Sequence, residues 1–474
     1  MPDRSSPPEE VMPGPLVILL IGIVVVVGMI IVLRVNAFIA LITAAMVVSL
    51  LSAGELGEKI SRVAEAFGSS AGQIGIVIAM AAVIGKCLMD SGAADRIVRS
   101  FLKVLGEKNA NVALMGSGFV LAVPVFFDTV FYLLVPLARS LWRSTRHNYV
   151  LYVTAIGCGA AITHTLVPPT PGPLVMAENL GIDLGVMILM GLLIGLPTAL
   201  VGLLVCRMMN RLFDIPMRPY SGEVEPEPLA DDELPPLWLS LLPIILPVIL
   251  ISANTVTETL VSDQLKAAME NGKALDWLGM AAMLGDPNLA LLLSAAIAMW
   301  TLVRKRSLTL RELAQTTETA LMSGGVIILI TAGGGAFGAM LRESGVKEAI
   351  EGSVNMEGGN VGMVMLLLGF GVAAVMKVAQ GSSTVSMITT SSMIAAMGLS
   401  SQALGFHPVY LALAIGCGSL VGSWMNDSGF WIVARMSGFT EVETLKLWTT
   451  LLVIVAVVGL VFTLAFAWLI PLAG

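Results

Sequence analysis

Two aspartates lie inside apolar stretches of this chain, where an ionised carboxylate is costly to keep. Asp128 follows the sequence Pro-Val-Phe-Phe at 124–127, and Asp427 lies between Asn426 and Ser428. An acid at membrane depth is normally paired, protonated or functional. Each carboxylate is therefore a candidate for binding a cation or carrying a proton. The plainer alternative is that each one caps the helix that follows it.

A histidine stands just before the most strongly broken segment of the chain. His164 is followed at 166–173 by the sequence LVPPTPGP, whose prolines cannot continue a helix and leave backbone carbonyls without partners. An imidazole at such a place can relay protons near neutral pH. The alternative for a single histidine on a helix is a packing role.

A third polar group, Gln-Gly-Ser-Ser-Thr at 380–384, follows Lys377. The glycine permits a tight turn, and hydroxyls with free amides at the start of the next helix would bind an anion or a polyol. The positive charge of Lys377 would attract a substrate carboxylate. The alternative is that the hydroxyls only cap the turn and that Lys377 extends its amine toward the membrane surface.

The elements that must position these residues are membrane spans. Of the 474 residues, 56% are hydrophobic and 12% are charged, and the mean hydropathy of +0.89 excludes a soluble protein. Runs long enough to cross a bilayer fall at 15–33, 36–52, 71–91, 148–180, 184–205, 237–253, 286–303, 317–341, 409–434 and 447–471. We therefore predict an all-α polytopic membrane protein.

Two further apolar runs, 111–138 and 361–398, are too long for one helix and too polar at their centres for two spans. They are predicted to be re-entrant hairpins whose tips reach membrane depth inside the protein, where irregular backbone can be satisfied.

The chain also contains an internal repeat. The residues Ala-Ile-Gly-Cys-Gly occur at 155–159 and again at 414–418, each copy lying in a span with a polar or proline-rich break. The predicted broken helices are 148–180 and 409–434. A duplicated membrane protein with matching interruptions is typical of a secondary transporter.

The distribution of Lys and Arg predicts the orientation. With the N-terminus outside, inner loops hold 17 of the 26 basic residues and outer loops hold seven, while Lys86 and Lys377 lie within spans or hairpins. Both termini are therefore predicted to lie outside. Lys86 is predicted to pair with Asp90 or to extend toward the membrane surface.

Each half then holds five spans and one hairpin, and since five is odd, the second half must be inverted relative to the first. The predicted boundaries are an N-terminal tail at 1–14, a first inverted repeat at 15–205, a cytoplasmic linker at 206–236 and a second inverted repeat at 237–474.

Other classes of function find little support. The net charge of −7 argues against a nucleic-acid partner, and the four cysteines lack the spacing of a zinc or redox site, so no metal and no cofactor is expected. An intramembrane hydrolase built on Asp128, Asp427 or His164 would lack an HExxH, GxSxG or GxGD motif, so an enzyme is not expected. An ion channel is disfavoured because hairpins that close both sides of a site favour alternating access.

Taken together, the motifs resemble the gluconate permease family of proton symporters, which includes D-serine and other sugar-acid transporters. The segments that carry the resemblance are 84–92, 124–128, His164 with 167–173, 380–382 and 426–431. The resemblance implies an ion-transporter fold, a homodimer, and a transport domain that moves as an elevator. Members often have His where this chain has Thr170 and Arg where it has Lys377, which is a point charge without the guanidinium fork.

The expected function is the import of gluconate or a related small sugar acid across the inner membrane, driven by protons. The alternative is another small carboxylate such as D-serine, with possible sodium coupling. Asp128, His164 and Asp427 are predicted to couple protons to transport. The predicted substrate-binding residues are Phe127, Thr165, Lys377, Gln380, Gly381, Ser382, Ser383, Thr384, Asn426 and Ser428.

Overall fold

The computed structural model describes residues 14–213, 215–218, 229–260, 276–345 and 361–472, and in these ranges the regular structure is helical without any strand. Of the predicted tail 1–14, only Gly14 lies among the described residues. The centre of the predicted linker, 219–228, lies outside them.

The helices of the first half are α1 (Pro15–Val27), α2 (Ala37–Leu51), α3 (Glu58–Asp90), α4 (Ala93–Leu105), α5 (Ala110–Leu121), α6 (Phe127–Thr145), α7 (Tyr149–Leu166), α8 (Pro171–Asn179) and α9 (Leu184–Leu212). A π-helical turn, Gly28–Val32, extends α1.

The helices of the second half are α10 (Leu237–Leu260), α11 (Asp276–Gly285), α12 (Pro287–Arg306), α13 (Leu310–Glu343), α14 (Val361–Gln380), α15 (Ser383–Ala395), α16 (Ser401–Leu404), α17 (Val409–Gly418), α18 (Ser428–Ser437), α19 (Glu441–Thr444) and α20 (Thr450–Leu469). A π-helical turn, Leu445–Thr449, joins α19 to α20.

Eight helical segments of the described chain are long and apolar enough to cross a membrane: α3, α7 with α8, α9, α10, α12, α13, α14, and α19 with α20. The chain is therefore a multi-pass membrane protein, as predicted. Seven of these segments coincide with predicted spans, and the eighth, α14, was assigned to the second hairpin. The predicted spans 15–33 and 36–52 contain the shorter apolar helices α1 and α2, and 409–434 contains the short helix α17.

Both predicted hairpins form helix–turn–helix units. The first consists of α5 and α6 joined through 122–126, and the second consists of α14 and α15 joined through 381–382. Gly381 has φ +85°, a left-handed conformation that favours glycine, which explains why the second turn is so short.

Both predicted broken helices are interrupted where the sequence indicates. Residues 167–170 separate α7 from α8, and residues 419–427 separate α17 from α18. The prolines of the first break have no N–H to donate to backbone carbonyls, and Thr170 supplies a donor instead. Its Oγ1 donates to the carbonyl oxygens of His164 (3.0 Å) and Val167 (2.7 Å).

The repeated Ala-Ile-Gly-Cys-Gly motif makes equivalent contacts in the two halves. A Cβ added at Gly159 would collide with the backbone of α5, and one added at Gly418 would collide with the backbone of α14, each the first arm of its hairpin. Cys158 packs against Gly202 of α9, and Cys417 packs against Gly459 of α20. Small residues thus let each broken helix approach its neighbours closely. The opposite insertion of the two halves stays a prediction.

Two element assignments predicted from the sequence differ from the structure. Helix α4, predicted as loop, is amphipathic and buries Ala93, Ala94, Ile97 and Val98. Residues 206–212, predicted as the start of the linker, continue α9. The described end of the linker packs against α4, where Arg96 donates to the carbonyl oxygen of Pro235 at 2.8 Å.

Candidate functional site

A cavity of about 370 Å³ lies where the hairpin tips and the broken helices meet. Three helices, α6, α15 and α18, begin at its wall. Ten of the thirteen residues predicted for substrate or proton binding line it: Phe127, Asp128, His164, Thr165, Lys377, Ser382, Ser383, Thr384, Asp427 and Ser428. The tertiary structure thus brings residues of both halves into one site.

A buried ion pair joins the second hairpin to the second break. The Nζ of Lys377 lies 2.7 Å from Oδ2 of Asp427 and donates a second hydrogen bond of 2.7 Å to the carbonyl oxygen of Gly381. The two side chains are only 3% and 11% exposed. Lys377, predicted to attract a substrate carboxylate, is therefore occupied by a carboxylate of the protein itself.

Asp427 has several partners at once. Its Oδ1 accepts a 3.0 Å hydrogen bond from the backbone N–H of Gly429, so the side chain caps α18. Its Oδ2 also accepts from the hydroxyl of Ser423, which in turn accepts from Nε1 of Trp448 at 2.9 Å. The capping and functional interpretations of Asp427 are compatible.

Asp128 lies in the first turn of α6, but it does not cap that helix. The N-cap position belongs to Phe126, without a side-chain cap. Among the described residues, the Asp128 carboxylate has no hydrogen-bond partner. It interacts electrostatically with Asp427 and Lys377 across the cavity. Asp128 is thus the acid of this site with free acceptor capacity.

His164 lies in the last turn of α7, beside the proline-rich break. Its ring meets that of Phe126 edge-on at a centroid distance of 6.4 Å. Its Nδ1 is buried without a partner among the described atoms. The next residue, Thr165, donates its hydroxyl to carbonyl oxygens of its own helix at 3.1 and 3.2 Å, so it presents acceptor lone pairs only.

The hydroxyl residues of the second hairpin lie in the first turn of α15. Ser382 is the N-cap, and its Oγ accepts from the backbone N–H of Val385 at 3.3 Å. Ser383 donates to the carbonyl oxygen of Ser419 at 2.8 Å, which ties the hairpin to the second break. Both hydroxyls are thus used for positioning, as the capping alternative proposes, while they also line the cavity.

Gln380, Gly381 and Asn426, which are also predicted to bind substrate, are not among the residues that line this cavity. Gly381 packs on the backbone of Asn426, so that a Cβ there would collide with it. Asn426 donates from Nδ2 to the carbonyl oxygen of Val378 at 2.8 Å. Gly381 and Asn426 therefore fix the crossing of hairpin and break behind the Lys377–Asp427 pair.

Sequence reasoning missed Trp448, which belongs to the wall of the cavity. Its ring stacks on Phe127 at a centroid distance of 5.1 Å. A Cβ at Gly157 would approach that ring to 2.5 Å, so the glycine leaves room for the tryptophan. The only signal was Gly157 in the repeated motif, because Trp448 reads as an ordinary residue at the start of the last span.

Comparison with known proteins places this arrangement in a family. The sequence model of the GntP family permeases matches residues 14–470. The chain belongs to this family. It is 34% identical over 442 residues to an uncharacterized permease of Haemophilus influenzae, covering 91% of this chain and 88% of the relative. It is 33% identical over 455 residues to a gluconate permease of Pseudomonas aeruginosa, covering 94% and 97%.

A solved structure has the same fold as this GntP family member. The Neisseria gonorrhoeae protein MtrF, described as illuminating a class of antimetabolite efflux pumps, aligns with a TM-score of 0.63 at 16% identity. The match covers 97% of this chain and 96% of MtrF. At this identity the likeness concerns the fold alone. Family and fold together make the chain a transport protein and not an enzyme.

Proposed function

We propose that this chain is a proton-coupled symporter that imports gluconate or a related small sugar acid by an elevator-type mechanism. The observation that carries the proposal is the Lys377–Asp427 pair inside a cavity at which three helices begin. Positive helix ends and a lysine favour an anion. The gluconate permease of Pseudomonas aeruginosa, a relative at 33% identity, supports a sugar acid as that anion.

The cavity also suits a small polyol. Its volume of about 370 Å³ falls within the usual range for small-molecule sites. Serine and threonine hydroxyls from both hairpins and from the first break line it. Such groups can exchange hydrogen bonds with the hydroxyls of a sugar acid, which would orient its carboxylate toward Lys377.

The ion pair suggests how a proton is coupled to an anion. Asp427 would compete with any incoming carboxylate for the ammonium group of Lys377, to which it is bonded. A proton on Asp427 would remove that competition and release Lys377 for the substrate. Proton and substrate would therefore each favour the binding of the other, which is the requirement for symport.

The charges of the site are consistent with this exchange. Lys377 with ionised Asp128 and Asp427 carries one net negative charge. One proton and one monocarboxylate add nothing to that charge, so the loaded site would cross the membrane no more highly charged than the empty one. Entry of the anion alone would double the negative charge. His164, whose Nδ1 has no partner among the described atoms, would act as the proton relay.

The remaining predictions belong to the same proposal. The two halves would be inserted in opposite senses, with both termini outside the inner membrane. The hairpins and broken helices would form the moving domain of each subunit in a homodimer.

The proposal can be tested with purified protein in proteoliposomes. Gluconate uptake should follow an inward proton gradient and should ignore a sodium gradient of the same size. Uptake that responds only to sodium would overturn the proton coupling. Liposomes containing the Lys377→Met variant would serve as the control, since this variant lacks the positive charge proposed to hold the substrate.

A second cargo is favoured by one observation, the presence of two carboxylates beside one lysine in the cavity. Such a site also suits a zwitterion such as D-serine, whose ammonium group would contact an aspartate. Competition of labelled gluconate uptake by a panel of sugar acids and D-serine separates the two cargoes. Stronger inhibition by D-serine than by unlabelled gluconate would favour the second.

A further inference from the structure

A second cavity, of about 570 Å³, lies at the ends of α5, α7 and α9 and shares no lining residue with the substrate site. Its described lining includes three cationic side chains and no carboxylate: Lys108 precedes α5, while Arg207 and Arg211 belong to the last turns of α9. None of the three takes part in an ion pair among the described residues. Three clustered cations that have no counter-charge among the described residues indicate an anionic ligand.

Backbone groups add to the positive potential. Helices α5 and α7 both begin at this cavity, and their N-cap residues, Asn109 and Asn148, provide no side-chain hydrogen bond to the first turn. Apart from the N–H of Leu151, which donates to Oδ1 of Asn210, the first amides of these two helices can therefore donate to an anion. Two helix ends and three cations together make this cavity more positive than a scattered set of surface lysines would.

The wall of the cavity is held in place by hydrogen bonds between helices. Asn210 of α9 donates from Nδ2 to Oδ1 of Asn148 at 2.9 Å, and its own Oδ1 accepts from the backbone N–H of Leu151 at 3.1 Å. These bonds connect α9 to the beginning of α7. The part of the cavity wall between α7 and α9 is thus fixed by side-chain hydrogen bonds.

One face of α9 leads directly to the cations. Leu193, Leu196, Leu200 and Leu204 are 44%, 52%, 51% and 59% exposed and follow one another at spacings of three or four residues. Arg207 and Arg211 continue this spacing, so they lie on the same face of the helix. In a bilayer the leucines would contact acyl chains, and the arginines would stand where that ridge reaches the headgroups.

We propose that this cavity binds the phosphate of an acidic phospholipid, whose acyl chains lie along the leucine ridge of α9. The cations and helix ends recognise the phosphate, and the ridge explains why the anion is a lipid headgroup and not free phosphate. Arginines that merely extend to the nearest headgroup would need neither Lys108 from another helix nor the bonded asparagines.

The experiment is native mass spectrometry of the purified full-length protein, titrated with phosphatidylglycerol, with phosphatidylcholine of the same chains, and with inorganic phosphate. Phosphatidylglycerol should bind more tightly than phosphatidylcholine. The double variant Arg207→Gln/Arg211→Gln should weaken it, by about fivefold for each charge removed, and Lys108→Gln should weaken it by about fivefold.

The matched control is the double variant Lys103→Gln/Arg304→Gln, which removes two exposed cations from outside the cavity and should leave lipid binding unchanged. Charge-conserving Arg207→Lys/Arg211→Lys should retain binding if the first double variant folds poorly. Equal losses in the test and control variants would overturn the site. Equal binding of the two lipids would show that only the acyl chains are held, which would overturn the phosphate site. Displacement of phosphatidylglycerol by inorganic phosphate would overturn the assignment to lipid.

Discussion

At the scale of single residues, Lys377 and Asp427 form the most buried ion pair in the described part of the chain. Ions removed from water lose hydration energy, which their mutual attraction and further hydrogen bonds must offset. Asp427 has such bonds from Gly429 and Ser423, and Lys377 has one to Gly381. The pair is therefore stable while intact and sensitive to the loss of either partner.

We expect Asp427→Asn to lower the free energy of unfolding by about 3–5 kcal/mol, because the ammonium group of Lys377 would stay buried without a counter-charge. The double variant Lys377→Met/Asp427→Asn should regain most of that loss. Thermal unfolding in detergent measures both. The control is Lys86→Met, which breaks the Lys86–Asp90 pair, whose side chains are 35% and 32% exposed, and should cost at most about 1 kcal/mol. An Asp427→Asn protein as stable as this control would contradict the argument.

The second prediction at this scale concerns Asp128. Because its carboxylate has no described hydrogen-bond partner, Asp128→Asn removes charge without breaking a contact of the fold. Asp128 is predicted to couple protons to transport together with Asp427, so we expect this variant to lose proton-driven gluconate uptake and to retain exchange of internal for external gluconate. Counterflow in proteoliposomes measures the exchange. Full proton-driven uptake by the variant would remove Asp128 from the coupling step.

At the scale of elements, the site depends on close crossings between helices. A Cβ on Gly418 of α17 would meet Cα of Phe370 at 2.9 Å and Cβ of Ala373 at 3.0 Å, both in α14. Gly159 holds the corresponding place between α7 and α5. The glycines of the repeated motif thus allow each hairpin to pack closely against its broken helix.

We expect Gly418→Ala and Gly159→Ala to be destabilised by about 1–3 kcal/mol, because a methyl group would have to push a neighbouring helix away. The control is Gly371→Ala in α14, where a Cβ would meet nothing within 4 Å. That change should be neutral or stabilising by up to about 1 kcal/mol, since alanine favours the helix. Thermal unfolding compares the three variants. Equal stability of all three would contradict the close contacts inferred at Gly418 and Gly159.

At the scale of the whole molecule, the proposed inverted arrangement makes a prediction about sidedness. Glu55 and Gln402 belong to opposite halves and would both face outward, while Lys103 and Arg304 would both face the cytoplasm. All four side chains are exposed, and the native cysteines are buried, so background labelling should be low.

We expect Glu55→Cys and Gln402→Cys to react with a membrane-impermeant maleimide in intact cells. Lys103→Cys and Arg304→Cys should react only after permeabilisation. Labelling of Glu55→Cys and Lys103→Cys from the same side would contradict the predicted path of α3. Labelling of Gln402→Cys only from the cytoplasm would contradict the inversion of the second half.

The amino-acid sequence by itself determined the class of protein, the family and the positions of the hairpins and breaks. The class and the turns and breaks follow from local properties: runs of apolar residues, prolines that cannot continue a helix, and a glycine in a tight turn. The family follows from the resemblance of the motifs to those of its members. The Lys86–Asp90 pair was predictable for the same reason, since four residues on a helix place two side chains together.

Only the tertiary structure decided which polar residues share the cavity and what each of them does there. The partners Lys377 and Asp427 are 50 positions apart, and Trp448 reaches the site from the last span because Gly157 leaves it room. Gln380, Gly381 and Asn426 lie behind the cavity although their neighbours line it. Neighbours along a turn point in different directions, and which of them faces the site is set by how helices from both halves pack, which no local pattern contains.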